Sequence, residues 1–111
     1  MTLLRGDLIT VAAKGHYTGK PRPALVIQAS ETLPYRDSVT ICLLTADLID
    51  APLFRVRIEP APTNGLNQPS DVMADKILTV PRSVVSAKSI GRLSAAELEK
   101  VDAALAFWLG L

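Results

Sequence analysis

Sustained helical periodicity is confined to the last stretch of this chain. Everything before it reads as short strands broken by turns, and that order leaves few architectures open. From Ser94 the sequence Ser94-Ala95-Ala96-Glu97 fits a capping box. The serine hydroxyl accepts from a free backbone amide of the first turn while the glutamate reaches back to the amide of Ser94. Leu98, Val101, Leu105 and Trp108 then recur at helical spacing. The helix is therefore expected to run from Ser94 to about Leu109 and to seal a sheet with one apolar face.

Upstream, Leu8 to Ala12 reads as a strand opened by the turn-prone Gly6-Asp7. Ala24 to Gln28 and Val39 to Leu44 are apolar, partly β-branched runs separated by the polar, proline-containing Ser30 to Asp37 loop. Phe54 to Ile58 alternates apolar and basic residues, which puts Arg55 and Arg57 together on the wet face of a half-buried strand. Two readings of that pair stand side by side: a charged edge that discourages aggregation, or a contact to RNA. After the turn-rich Glu59 to Ser70 segment, with its Asn64-Gly65 turn pair, Asp71 to Leu78 looks like another strand. Pro81 to Val84 is expected to be a turn or helical stub, and Ala87 to Arg92 a last strand. The sum is a mainly β fold: a small, partly open barrel capped by one helix. At 111 residues, 49% of them hydrophobic, residues 1–111 fit one domain.

Several classes of function fall away. No apolar run is long enough to cross a bilayer, and the Met1-Thr2-Leu3-Leu4-Arg5-Gly6-Asp7 start meets charge too soon for a secretory signal, so a cytoplasmic protein without a membrane partner is expected. The single cysteine, Cys42, has no partner for an internal disulfide. It lies within an apolar strand, where a small buried thiol is the plain expectation and a catalytic one the alternative. Twelve basic against eleven acidic residues leave a net charge of +1, so any anion site must be local.

The local candidate is the stretch Lys14 to Pro23, which leads into the strand Ala24-Leu25-Val26-Ile27. It carries the only histidine, His16, and places Arg22 between two prolines at the mouth of the strand. Each ring locks its own φ and biases the preceding residue towards extended backbone, so Arg22 is pre-positioned. Its planar fork suits a phosphoryl oxygen.

Cleaving RNA by internal transesterification needs a group to take the 2′-hydroxyl proton, a donor for the leaving 5′-oxygen, and positive charge on the phosphorane. It needs no metal and no cofactor. His16 titrates near neutrality and could serve as base or acid, while Arg22 supplies permanent charge. Thr45, at the end of a strand, could hydrogen-bond a phosphate oxygen, and Asp75 could orient His16 or take a proton. Each has a plainer reading as a solvated histidine, a surface ion pair, or a turn-starting threonine. Competing chemistries lack their motifs. There is no GxxxxGK[ST], GxGxxG or GxSxG segment, and no cysteine pair or histidine cluster for a metal.

Arg5-Gly6-Asp7, Gly15-His16 through Lys20-Pro21-Arg22-Pro23 to Ile27, Leu43-Leu44-Thr45, Asp75-Lys76-Ile77 with Thr79-Val80, and Ile90 to Ser94 follow one another in this chain. In that order they resemble the blocks of the MazF/PemK toxins, from about Arg5 to the C-terminus. The resemblance implies an SH3-like, partly open barrel of the CcdB/PemK type with a C-terminal helix. It also implies a homodimer, and the activity of a sequence-specific endoribonuclease from a type II toxin-antitoxin module. Position by position, Arg22 matches the arginine used at the scissile phosphate and Thr45 the threonine that supports it. His16 matches a histidine of the PemK branch and Asp75 an aspartate of the active-site strand. Where that branch carries a further catalytic arginine, this chain has Met73, which shifts charge stabilisation onto Arg22 with Lys76 or Arg36 as helpers.

The implied division of labour has Arg22 stabilise the transition state, Thr45 donate to a phosphate oxygen, and His16 or Asp75 accept the proton. The leaving-group acid is unassigned. Single-stranded RNA is the implied substrate, with Tyr17 as a stacking platform and Lys20, Arg36, Arg55, Arg57 and Lys76 along its path. The loops Gln28 to Ser38 and Ala46 to Phe54 are expected to border the groove. A cognate antitoxin, with an acidic tail that folds on binding, is the implied protein partner. Two alternatives share the fold: a CcdB-like gyrase inhibitor, suggested by the tail Trp108-Leu109-Gly110-Leu111, and a catalytically silent binding module.

Overall fold

The computed structural model describes residues 2–12 and 21–111. Strands β1 (Asp7–Val11), β2 (Arg22–Val26), β3 (Ser38–Thr45), β4 (Arg55–Ile58), β5 (Ser70–Pro81) and β6 (Gly91–Arg92) form one antiparallel sheet in the order β4-β5-β3-β2-β1-β6. A single helix, α1 (Ala95–Leu109), follows. The two edges of the sheet approach each other, because Arg92 N on β6 donates to Thr63 O in the segment after β4 at 2.9 Å. That contact curls the sheet into the expected partly open barrel.

Alternation along the strands gives the sheet two apolar faces. Leu8, Leu25, Cys42, Leu44, Val56, Ile58, Val72 and Ala74 line the face covered by α1. Ile9, Val11, Ala24, Val26, Val39 and Ile41 line the other, covered by Leu3, Val84 and the buried Leu33 of the 3₁₀ helix Ser30–Tyr35. Each fully buried Leu, Ile or Val contributes about 1.5–3 kcal/mol, so both faces count towards stability. β5 bridges the curl. Its first residues pair with both β4 and β3 and its last with β3 alone, with an irregularity between the pairs Cys42–Ile77 and Leu44–Val72.

The capping box is present as read: Glu97 N donates to Ser94 Oγ at 3.1 Å, and Ser94 N donates to Glu97 Oε1 at 2.9 Å. The helix stops at Gly110, whose φ of 72° suits a residue without a Cβ. Its buried residues are Val101, Ala104 and Leu105, with Leu98 half-buried. Trp108 departs from the expected stripe. It is 48% exposed and rests against Phe54, ring centroids 5.5 Å apart, outside the buried stripe of Val101, Ala104 and Leu105. The last strand is also shorter than expected, Gly91–Arg92 rather than Ala87 to Arg92. Among the described residues no helix is long and apolar enough to cross a membrane.

Candidate active site

Arg22 opens β2 and is exposed, between Pro21 and Pro23, opposite Val11 of β1. On its other side β2 pairs with β3, Ala24 facing Leu43. Continuing that register by two residues brings Arg22 abreast of Thr45, the last residue of β3. Both line a cavity of about 500 Å³, within the range of small-ligand sites. Thr45 Oγ1 accepts from Asp47 N at 3.0 Å, the turn-starting bond that its plainer reading anticipates. One of the two acceptor lone pairs is thus engaged, and the hydroxyl proton is left for another acceptor.

The far wall of this cavity comes from the turn-rich segment between β4 and β5. Gly65, Leu66, Asn67, Gln68 and Ser70 face Arg22 and Thr45. Asn64 holds the segment in shape. It is 1% exposed, its Oδ1 accepts from Ala61 N and Leu66 N, and its Nδ2 donates to Glu59 O. Gly65 (φ +69°) lies against the backbone of Ile90, and Gly91 lies against that of Asn64, so closely that a Cβ at either would overlap main-chain atoms. The expected border loops contribute little: only Ala46 of the two lines this cavity. The Asn64-Gly65 turn pair and Pro69 are the signals that could have pointed to the wall.

Asp75 stands elsewhere. It does not line the cavity with Arg22, and its Oδ1 lies 3.5 Å from Arg55 Nε. Of the two residues expected on a wet face, Arg57 is exposed and Arg55 is not, and both belong to a charge cluster. Arg55 is 13% exposed, opposite Met73 in the β4–β5 ladder and between Asp75 and Asp71, whose Oδ2 lies 3.8 Å from Arg55 Nη1. Arg57 Nε donates to Asp71 Oδ1 at 2.5 Å, and Ile49 N donates to Asp71 Oδ2 at 3.1 Å. The bond from Asp71 raises the Arg57 guanidinium still further above its ordinary range, against a smaller opposing effect of burial. Arg55, Arg57 and Asp71 line a second cavity of about 460 Å³, with Ile49 to Leu53 on one side and Lys100 and Phe107 of α1 on the other. The sequence could not place this cluster because ladder register is not visible in periodicity.

Arg36 follows the first 3₁₀ helix and Lys76 lies in β5; both are exposed and neither lines the Arg22 cavity. His16, Tyr17 and Lys20 lie outside the described residues. Cys42 is fully buried, and its thiol is pushed up to about 12, first by burial and then by the negative charge of Asp75, with Arg5 acting in the opposite sense. A thiol so held is no nucleophile at neutral pH. Among the described residues no group of three or more His, Cys, Asp or Glu side chains could hold a metal ion.

Comparison with known proteins agrees with this geometry. The sequence model of the PemK-like, MazF-like toxins of type II toxin-antitoxin systems matches residues 4–109. The chain is 47% identical over 107 residues to the probable endoribonuclease MazF of Mycolicibacterium smegmatis, covering 96% of each. The Mycobacterium tuberculosis toxin MazF-mt6 superposes with a TM-score of 0.80 at 25% identity, over 95% of this chain and 97% of that one. The MazE-MazF structure from Deinococcus radiodurans gives 0.78 at 25% identity, over 100% and 99%. By the extent of the match and its identity to that relative, this chain belongs to the PemK-like, MazF-like toxins of type II toxin-antitoxin systems.

Proposed function

We propose that this chain is an endoribonuclease toxin that cuts single-stranded RNA by attack of a 2′-hydroxyl on the adjacent phosphorus. The products are a 2′,3′-cyclic phosphate and a 5′-hydroxyl. The observation that carries the reading is the pairing of Arg22 with Thr45 in one cavity at the ends of adjacent strands. Charge that builds on the phosphorane oxygens meets the guanidinium, and the Thr45 hydroxyl donates to one of them. His16 is assigned as proton acceptor on chemistry, as the only imidazole in the sequence. Asp75 is the weaker choice, since Arg55 neutralises it away from the cavity. Neither step draws on a metal ion.

The working unit is proposed to be a homodimer, held in check by a cognate antitoxin as the MazE-MazF assembly of the Deinococcus relative suggests. A CcdB-like gyrase inhibitor is disfavoured by the family match and by a tail whose Trp108 is packed on Phe54. The test is incubation of purified protein with a long unstructured RNA in EDTA, beside Arg22→Ala and a gyrase supercoiling reaction. Cleavage by the wild type alone supports the nuclease. Gyrase inhibition without cleavage, or silence in both, contradicts it.

A further inference from the structure

We infer that Asn67 and Gln68 read the edge of a nucleobase next to the scissile phosphate, and so set which sequence is cut; the inference rests on the endoribonuclease reading above. Both residues are exposed and line the cavity that holds Arg22 and Thr45. Side-chain amides carry a donor beside an acceptor, the pattern that pairs in two bonds with a base edge. Single-stranded RNA offers such edges once its bases are splayed.

What separates these two amides from ordinary solvated side chains is how firmly their backbone is held. On the N-terminal side the buried Asn64 accepts from Leu66 N at 3.0 Å, and Leu66 packs against the apolar cluster beneath α1. On the C-terminal side Pro69 restricts Gln68 to extended backbone, and Ser70 Oγ donates to Gln68 O at 3.2 Å. Beneath the segment, Gly65 and Gly91 allow it to lie directly on the chain that leads into β6. Asn67 and Gln68 are thus presented on a fixed rail at the same cavity as the phosphate-binding pair. Little side-chain-bearing backbone has to be ordered when a base arrives, which is the condition for discrimination rather than mere contact.

Arg22 and Thr45 would act on a phosphate that every nucleotide carries. Specificity requires groups that see the base, and this wall supplies them.

The experiment maps cleavage ends on a pool of random RNA for wild type, Asn67→Ala, Gln68→Ala and Gln68→Glu, with Arg22→Ala as the inactive reference. Each alanine variant is expected to lose about ten- to a hundredfold of discrimination at one position flanking the cut, so that cut sites redistribute. Gln68→Glu, which exchanges a donor for an acceptor at nearly the same volume, is expected to change the preferred base at the position that Gln68→Ala relaxes. Unchanged preferences at every position in all three variants overturn the inference while the wild type still cuts. So does a uniform loss of rate with the preference intact, since the amides would then serve turnover rather than reading. Failure of the wild type to cleave removes the nuclease reading itself, and this inference with it.

Discussion

Arg22 and Thr45 line one cavity from adjacent antiparallel strands, one at the start of β2 and the other at the end of β3. Each is the terminal residue of its strand, so the sheet backbone contributes to the place of both. Thr45 Oγ1 accepts from Asp47 N at 3.0 Å, which leaves its hydroxyl proton for another acceptor. Thr45→Val, which keeps the shape and removes the donor, is expected to lower the cleavage rate by about 10²–10³-fold. Thr45→Ser should recover most of it. Single-turnover cleavage of a defined RNA gives the comparison.

Asp71 is the keystone of the charge cluster. It is 1% exposed and is approached by Arg57, Arg55 and the amide of Ile49. Asp71→Ala leaves the 13% exposed Arg55 with less compensating charge, and the expected loss of stability is about 3–5 kcal/mol. Arg57→Gln, at the exposed end of the same pair, should cost much less. Urea unfolding midpoints of the two variants test the difference.

Gly91 presses on the backbone of Asn64 with no room for a side chain. Gly91→Ala must push the Asn64 to Ser70 wall outwards, at about 1–3 kcal/mol in stability. It is also expected to widen the cavity and weaken base discrimination more than it slows cleavage of a mixed RNA pool. Chemical denaturation together with end mapping reads both effects.

Much of this architecture is legible in the residues themselves. The capping box Ser94 to Glu97 and the strand-length runs around Leu25 and Ile41 are local signals, and local signals survive folding. The start of β2 at Arg22 is a local signal too, since the flanking prolines favour extended backbone there. What escaped was set by register and closure. Arg55 and Arg57 alternate as a wet strand should, yet the β4–β5 ladder lays Asp71 and Asp75 beside them. Asn67 and Gln68 sit in a turn-rich segment with no periodicity, and only the curl of the sheet carries that segment to the Arg22 cavity. Trp108 keeps the helical spacing, yet it is half-exposed and meets Phe54 rather than the core.

Cys42 gives the fold an alkaline limit. Burial and Asp75 raise its thiol from 9.0 to about 12, so the folded state keeps a proton that the unfolded chain releases. Stability from this group is therefore complete below about pH 9 and is lost progressively as the pH rises towards 12. Thermal unfolding followed from pH 8 to 11 should show a steeper decline for the wild type than for Cys42→Ala. In the folded protein at pH 8, iodoacetamide should leave the thiol unmodified.

The account stands on the guanidinium at the head of β2. Its most direct test is the single-turnover cleavage rate of an unstructured RNA in EDTA, wild type against Arg22→Ala, with circular dichroism establishing that the variant keeps its fold. A fall of at least about 10²–10³-fold in the folded variant is the predicted result. Cleavage by Arg22→Ala at the wild-type rate would contradict it.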